Sequence, residues 1–220
     1  MSLSTTATEF RQDISCSVAQ LSDDTFLRYY NDCRDELIDA IIKENEDYFF
    51  STYSWTTVIW QNDYTLQQRT TSLDWIYKIK WVSAKFKSTD TYFTKIEPKR
   101  IEELDYDLAT YTNTVYPFYL IQNNILSIYP TPTEAVWYKI YHIKLPKKLL
   151  ISDTDTLPDQ HINALLYGVK KRFLESEQRL QEVQIANQEW ENAKVNVCKA
   201  LSGIVIEPIT RTTPNLSYLT

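Results

Sequence analysis

Hydrophobic residues near the start of the chain repeat with the period of an α-helix. Between residues 22 and 48 the apolar positions lie three, four or seven residues apart: Phe26, Tyr30, Cys33, Leu37, Ile41 and Tyr48. This spacing predicts an amphipathic helix that buries one face. Ser22 is a favourable N-cap, and Asp23 and Asp24 suit the positive end of the helix dipole. A weaker pattern of the same period predicts a helix before it, through Phe10, Ile14, Val18 and Leu21.

The period changes to two in the middle of the chain, which is typical of β-strands. Between residues 73 and 81 the odd positions are apolar: Leu73, Trp75, Tyr77, Ile79 and Trp81. Several even positions are polar, so we predict that the odd-numbered face of this strand is buried. Further strand material lies at residues 52–60, 91–96, 118–129 and 136–143, and a short helix is predicted after Pro98, with Ile101, Leu104 and Leu108 on one side.

Two turns interrupt the strand region. Asn123 and Asn124 separate two alternating runs, and they predict a two-residue hairpin because asparagine tolerates positive φ. Pro130 and Pro132 cannot donate to a ladder, which places residues 129–133 outside a central strand. About six strands with one apolar face can fold together as a small sandwich or barrel.

The last periodic segment follows Pro158. Its apolar residues recur about every 3.5 positions: Ile162, Leu166, Val169, Phe173, Leu180, Val183, Trp190, Val197 and Leu201. One continuous helix of this length would extend about 60 Å, so we predict a break near residues 176–179. Phe173 and Trp190 are expected in the core. Gly203 ends the pattern, and residues 204–220 predict an extended arm.

These elements predict an α+β fold. Helices from the N- and C-terminal segments would form a bundle, with an inserted antiparallel β-module (a small sandwich or barrel) and an extended C-terminal arm. The expected divisions are residues 1–50 for the N-terminal helices, 51–150 for the β-module with one short helix, 151–202 for the C-terminal helices that pack on the first ones, and 203–220 for the arm.

Aromatic residues are frequent, with 16 Tyr, 6 Trp and 8 Phe among 220 residues. Tyrosine and tryptophan combine an apolar body with a polar tip, so they fill cores and also favour interfaces. Their number predicts that some rings are shared with a neighbouring chain.

The net charge is −6 and the basic residues are scattered. Tight binding of nucleic acid is therefore not expected.

No residue pattern predicts catalysis or a cofactor. The chain has 2 Gly and 2 His, too few for a phosphate-binding glycine loop or a histidine metal site. His142 and His161 are expected to have structural or solvent-facing roles. The acidic residues near position 104 would form a solvated face: Glu102, Glu103, Asp105 and Asp107. We therefore expect no enzyme activity, no metal and no cofactor.

The three cysteines, Cys16, Cys33 and Cys198, are far apart and predict buried, reduced thiols. The N-terminal residues lack the basic and apolar regions of a secretory signal. No apolar run reaches the length needed to span a membrane. These observations predict a reducing cytoplasm and no membrane partner.

Four stretches occur in a characteristic order: LSDDTFLRYYNDCRDELIDAI, WQNDYTLQQR, FYLIQNNILSIYPTPTEAVWYKIYHIKLPKKL, and Leu157-Pro158 followed by the helix from His161 with Glu189 and Trp190 late in it. In order and spacing they resemble the head-to-tail connector (adaptor) proteins of tailed bacteriophages. The stretches are similar to the opening helix, the turn into the β-module, the strands around a Pro-x-Pro turn, and the closing helices. The turn at Tyr64 lacks the Gly and Pro usual there.

The resemblance implies a virion structural protein of the neck, at the head-tail interface, that is assembled in the host cytoplasm. Such proteins form a ring, here expected to be a dodecamer, that binds the portal, extends the DNA channel and gives stopper or tail proteins a docking site. DNA would pass through without specific binding during ejection. The C-terminal arm of such proteins commonly reaches the portal, and that role is carried over to these residues: Ile206, Pro208, Ile209, Arg211, Pro214 and Tyr218.

Two other classes of function remain open from the residues alone. Surface Trp and Tyr residues are also compatible with a receptor- or carbohydrate-binding β-module of a virion or cell-surface assembly. Long helices at both ends of the chain argue against that class, since lectin-like domains seldom need them. An enzyme of unrecognised type is the third alternative, and the shortage of glycine argues against it.

Overall fold

The structure is a computed structural model that describes residues 2–66, 74–85, 87, 89–104, 108, 111–112 and 117–202. Its helices and strands, in chain order, are α1 (Leu3–Asp13), α2 (Asp23–Glu44), β1 (Phe50–Thr56), β2 (Asp63–Thr65), β3 (Trp75–Ala84), β4 (Thr94–Pro98), β5 (Phe118–Gln122), β6 (Ile125–Tyr129), β7 (Trp137–Leu145), α3 (Asp159–Ser176) and α4 (Leu180–Ser202). Helices at both ends and a sheet between them confirm the predicted α+β class.

The N-terminal helices begin at serine caps. The Ser22 hydroxyl accepts a hydrogen bond from the Thr25 amide at 3.2 Å and starts α2, as predicted. A 3₁₀ turn, Glu46–Phe49, continues from α2 into the sheet. The helix predicted through Phe10, Ile14, Val18 and Leu21 lies earlier in the sequence than expected. It begins after its N-cap, Ser2, and it has ended by Ser15, which has a φ of 54°.

The four helices share one hydrophobic core. Fully buried aromatic rings fill it, among them Phe26, Tyr30 and Trp190. Gly168 allows α3 to approach its neighbours, since a Cβ there would lie 2.8 Å from Cys33 Sγ and 3.2 Å from Trp190 Cδ2. The predicted break between the last two helices is confirmed, with Gln178 at a φ of 57° between α3 and α4.

The seven strands form one curled sheet with the order β1-β7-β3-β4-β5-β6-β2, which makes a half-barrel. The pairings are antiparallel except for that of β4 with β5, which is parallel. A parallel pair needs a long crossover connection, and residues 99–117 supply it. The antiparallel module that we expected is therefore a mixed sheet.

The predicted burial of the odd-numbered face of β3 is wrong for the described residues, and Leu73 lies outside them. Ile76, Val82 and Ala84 are the buried apolar residues of this strand, whereas Tyr77 is exposed. Register shifts lie between Ile76 and Lys78 and between Ile79 and Trp81 in the pairing with β7. Each bulge adds a residue and exchanges the faces, so strict alternation cannot hold along the strand.

The predicted hairpin is confirmed. Asn123 and Asn124 have φ values of 48° and 64°, as a type I′ turn requires, and they join β5 to β6. In the region of the short helix expected after Pro98, Ile101–Glu103 forms a 3₁₀ turn, and residues 105–107 lie outside the described residues. Pro98 itself pairs with Tyr119 in the sheet, and the Lys99 amide donates to the Tyr119 carbonyl at 2.9 Å, so the strand continues where a helix was predicted.

A buried ion pair joins the segment after β7 to the bundle. The Arg34 guanidinium donates to both carboxylate oxygens of Asp155, at 3.0 and 3.2 Å, and also to the Lys147 carbonyl at 3.0 Å. The Tyr30 hydroxyl donates to the same carboxylate at 2.9 Å. Asp155 therefore holds the start of the C-terminal helices against α2.

Candidate interaction surfaces

The end of the sheet away from the bundle exposes a group of apolar side chains. Ile143 and Leu145, at the end of β7, belong to the bundle core, whereas Trp137 begins that strand at the other end. We call the second end, with residues 57–62, 85, 87, 89–93 and 130–137, the distal end. The three most exposed aromatic side chains of the described residues lie here: Tyr92 (82%), Trp60 (74%) and Trp137 (52%). Val58 and Ile59 are also exposed.

The loop that carries Val58, Ile59 and Trp60 is held by hydrogen bonds. The Trp60 amide donates to the Pro132 carbonyl at 2.9 Å, and Trp60 has a φ of 65°, which is uncommon for a bulky residue. The Tyr64 hydroxyl accepts from the Val58 amide at 3.3 Å and donates to the Gln61 carbonyl at 2.8 Å. Three consecutive apolar residues are thus presented to solvent on a defined backbone.

Thr57 fixes the point where β1 gives way to this loop. Its amide donates to the Val136 carbonyl at 2.8 Å, and its hydroxyl accepts from the Val136 amide at 3.0 Å. The alternation of residues 52–60 predicts a strand as far as Trp60, so this surface is not evident from the sequence pattern. The turn residues Gln61, Asn62 and Asp63 were the available signal that the strand ends earlier.

Lysines border the distal end. Lys139 and Lys85 place their ammonium groups 4.3 and 5.3 Å from the centre of the Phe93 ring, within the range of cation–π contacts. Lys87 is exposed nearby. Asp90 and Glu134 are the described acidic residues of these loops. They balance Lys85 and Lys87 within the distal end, and Lys139 lies two residues beyond it.

A second aromatic group lies on the outer face of the sheet. Trp81 and Tyr141 stack with ring centres 4.4 Å apart, and Phe50 lies 5.7 Å from Trp81. Phe50 is exposed, while the other two rings are half-buried. Because the rings pack face to face, their faces are covered and their edges remain available to a partner.

A cavity of about 620 Å³ separates the sheet from the segment that leads to α3. Its charged groups are already paired: Lys144 Nζ lies 3.1 Å from Asp74, and Lys147 Nζ lies 3.2 Å from Asp153. His142 also lines the cavity, and burial lowers the pKa of its imidazole. The polar lining therefore ties elements together, and it does not present an array of catalytic groups.

A groove of about 490 Å³ lies between α1, α3 and α4. Phe10, Ile14 and Leu166 are among its apolar lining residues. Its charged lining residues are Asp13, Lys170, Arg179 and Glu182, two of each sign. Lys170 and Arg179 form ion pairs with glutamates of α4, so the edge of this groove is electrically balanced.

The histidine, cysteine and acidic side chains do not come together as a catalytic or metal site in the described residues. Among the described residues, no group of three or more His, Cys, Asp or Glu side chains could hold a metal ion. His142 and His161 are buried in different elements, and Cys33 is buried while Cys16 and Cys198 are half-buried. Asp105 and Asp107 of the acidic set lie outside the described residues.

In the part of the chain that the structure describes, no helix has the length and apolar character needed to cross a membrane.

The residues predicted for the C-terminal arm cannot be placed. Residues 203–220 lie outside the described residues, and they include the whole predicted portal-binding set: Ile206, Pro208, Ile209, Arg211, Pro214 and Tyr218. Their role stays a prediction.

A profile of the SU10 adaptor protein family matches residues 1–202. The chain belongs to this family. The resemblance to phage adaptors is thereby confirmed, and the adaptor is a structural protein of the phage neck. Proteins of this kind are normally non-enzymatic, which agrees with the paired or separated state of the polar groups described above. No curated protein matches the adaptor.

Proposed function

We propose that this adaptor forms a ring, of twelve copies, between the portal and the tail. The ring extends the DNA channel and gives stopper or tail proteins a docking site. The family match over residues 1–202 carries this proposal. Large apolar side chains exposed on separate parts of the chain support it, because a protein that binds on several sides needs more than one such surface.

The C-terminal arm is our candidate for the contact with the portal. It contains Ile204, Val205, Ile206 and Ile209, and leaving such residues in water is unfavourable. An extended segment of this kind can bind a groove on another chain. In this arrangement the helices build the wall of the ring and the β-module faces a neighbour or the outside.

The acidic charge of the chain suits a channel through which DNA must move. Lysine and arginine residues that contact phosphates release counterions and hold the DNA. A net charge of −6 disfavours such retention. Passage of DNA would then be transient and independent of sequence.

Truncation after Gly203 tests the portal contact. The shortened chain should keep the circular dichroism spectrum and thermal unfolding temperature of the full chain, because the bundle and the sheet are formed by residues up to Ser202. It should fail to co-sediment with assembled portal rings, whereas the full chain should bind. Equal binding by the two forms would contradict the role given to the arm.

The outer-face ring stack gives a receptor- or carbohydrate-binding function its best support. Phe50, Trp81 and Tyr141 form that stack, and its ring edges remain available to a ligand. Light scattering with and without the portal distinguishes the two functions. Ring formation on the portal supports the adaptor function, whereas a monomer that binds glycans and ignores the portal supports the alternative.

A further inference from the structure

We propose that the C-terminal arm of a neighbouring copy pairs with the open edge of β1 and inserts Ile204 and Ile206 into the concave side of the sheet. This inference rests on the proposed ring of copies, and it names the contact that links each copy to the next. Ile206 then contacts the neighbouring copy, and Pro208 and the residues after it remain for the contact with the portal.

β1 is an edge strand without the usual protection. It is the first strand in the sheet order, so among the described strands it pairs only with β7. It has seven residues with no charged side chain and no proline, and its register with β7 runs without a bulge. Natural proteins shield open edges with charges, prolines, bulges or short strands, and the opposite edge, β2, has only three residues. β1 is therefore suited to pairing with a further strand.

The open backbone groups of β1 belong to alternate residues. The Thr57 amide donates to the Val136 carbonyl, and in an antiparallel pair the bonded residues recur at every second position. Thr52, Ser54 and Thr56 therefore direct their amides and carbonyls away from β7. None of these three has another backbone partner among the described residues. An added strand would satisfy these groups, as it does when a peptide extends a sheet.

A largely apolar trough follows the concave side of β1. The cavity of about 620 Å³ between the sheet and the segment leading to α3 continues into a second cavity of about 520 Å³, since Tyr53 and Ile76 line both. The second cavity has no charged lining residue. Trp55 also lines it, and its indole nitrogen is buried without a hydrogen-bond partner among the described residues. A strand in this trough can fill the apolar space and offer that nitrogen a backbone carbonyl.

The start of the C-terminal arm has the residues that this site requires. Ile204, Val205 and Ile206 are β-branched and favour an extended strand. Alternation puts the two isoleucines on one face of that strand and Val205 and Glu207 on the other. The isoleucine face fits the uncharged trough and leaves Glu207 in solvent. Pro208 has no amide hydrogen, so the pairing ends there.

α4 ends on the side of the molecule where β1 begins. The His161 ring, near the start of α3, lies 6.1 Å from the ring of Tyr48, which precedes β1 by two residues. Asn196 and Val197, near the end of α4, share a groove with the same part of α3. The arm of a chain therefore leaves its helix close to the first residues of that chain's own β1.

This position argues for the arm of another copy. Because the apolar residues come first in the arm, a chain's own arm can place them along β1 only in the parallel direction. Parallel strands occur almost only where both faces of the sheet are covered, whereas the outer face of β1 is exposed at Phe50, Thr52 and Ser54. A neighbouring copy can supply the antiparallel direction, which suits a sheet with one solvated face.

Direct pairing of two β1 edges is the alternative contact between copies. Such a contact uses the same strand on both sides and is two-fold. It closes a dimer and cannot continue around a ring. Insertion of an arm uses different parts of the two copies, so it can be repeated from each copy to the next.

The test is cross-linking of two variants that are assembled together on portal rings. One variant carries Ile206→Cys and the other carries Tyr53→Cys, because Tyr53 is 46% exposed beside the trough and its replacement should not prevent folding. A short thiol-reactive cross-linker should join the two variants into dimers. Val205→Cys is the matched control and should cross-link at least about fivefold less, since successive side chains of a strand point to opposite faces. Each variant assembled alone measures the background from the native cysteines.

The remaining outcomes contradict the assignment in different ways. Mixed rings without cross-linked dimers would show that the trough does not hold the neighbouring arm, and equal cross-linking by Val205→Cys would contradict the strand pairing. Cross-linking within one chain that carries both Ile206→Cys and Tyr53→Cys would assign the trough to the chain's own arm. Cross-linking of the Tyr53→Cys variant to the portal would assign it to a portal segment. Failure of the wild-type adaptor to form rings on the portal would instead refute the proposed function itself.

Discussion

The helical bundle and the β-module use their aromatic residues differently. In the bundle, Phe26, Tyr30 and Trp190 are completely buried, and their polar atoms have partners inside the molecule: Tyr30 binds Asp155, and the Trp190 indole donates to Glu36 at 3.3 Å. In the β-module, Trp60 and Tyr92 project into solvent. One region satisfies its large side chains within the chain, and the other leaves some of them for a partner.

This difference assigns stability and recognition to separate parts of the molecule. Substitutions in the bundle core should lower the free energy of unfolding and affect function only through folding. Substitutions at the distal end should leave that free energy nearly unchanged and affect assembly. A connecting protein benefits from this separation, because binding at one end then does not depend on loosening the other.

The largest effect on stability is expected at the buried ion pair. Arg34→Ala leaves Asp155 buried without its bidentate partner, and uncompensated buried charge typically costs about 3–5 kcal/mol. Urea unfolding followed by tryptophan fluorescence would measure the loss. A midpoint within error of the wild type would show that the pair does not hold the bundle to the segment before α3.

Arg179→Ala is the matched control for that substitution. Arg179 also forms an ion pair with a carboxylate, Glu182, but both side chains are about half exposed. Exposed pairs contribute little, so the change should stay within about 0.5 kcal/mol. The comparison separates the effect of burial from the loss of an arginine.

A second, intermediate effect concerns acid sensitivity. His161 is fully buried in the first turn of α3, and neither ring nitrogen has a hydrogen-bond partner among the described residues. Burial lowers the pKa of His161, with a smaller opposing effect from the Asp155 carboxylate. Since the folded protein binds the proton more weakly than the unfolded chain does, stability is complete above the unfolded pKa near 6.5 and is lost as the pH falls through the folded pKa.

Unfolding measured between pH 8 and pH 5 should therefore show stability falling below about pH 6.5, by at most about 1.4 kcal/mol per pH unit for each histidine. His161→Leu should reduce this slope. His142, whose pKa is also lowered by burial, would account for the slope that remains. An identical slope in the variant would mean that His161 is not the group that takes up the proton.

Local signals explain why the bundle was predictable from the sequence. The caps and apolar period of α2 lie within the helix itself, and the break between α3 and α4 follows from the length of a helix that a chain of this size can accommodate. The Asn123–Asn124 turn is equally local, since its backbone angles depend on those two residues. Each of these features could be found without knowing what packs against it.

Features set by distant contacts were not predictable. The end of β1 depends on the bonds between Thr57 and Val136, which are far apart in sequence. The faces of β3 depend on bulges in its pairing with β7. Exposure of Trp60 follows from the first of these contacts, so the distal end could not be identified from periodicity alone.

The smallest expected effect is a gain in stability in the β-module. Asn124 has a φ of 64°, a conformation that glycine adopts without steric cost, and Asn-Gly is the preferred pair for this turn. Asn124→Gly should therefore raise the free energy of unfolding by up to about 0.5 kcal/mol. The gain is small because glycine also has greater freedom in the unfolded chain, which offsets part of the better turn geometry.

Asn124→Val is the opposite control, because a β-branched residue is strained at positive φ. Thermal unfolding should rank the three proteins glycine, asparagine, valine from most to least stable. Equal stability of the valine variant would mean that the turn does not fix the pairing of β5 with β6, and the hairpin would then owe its register to the sheet around it.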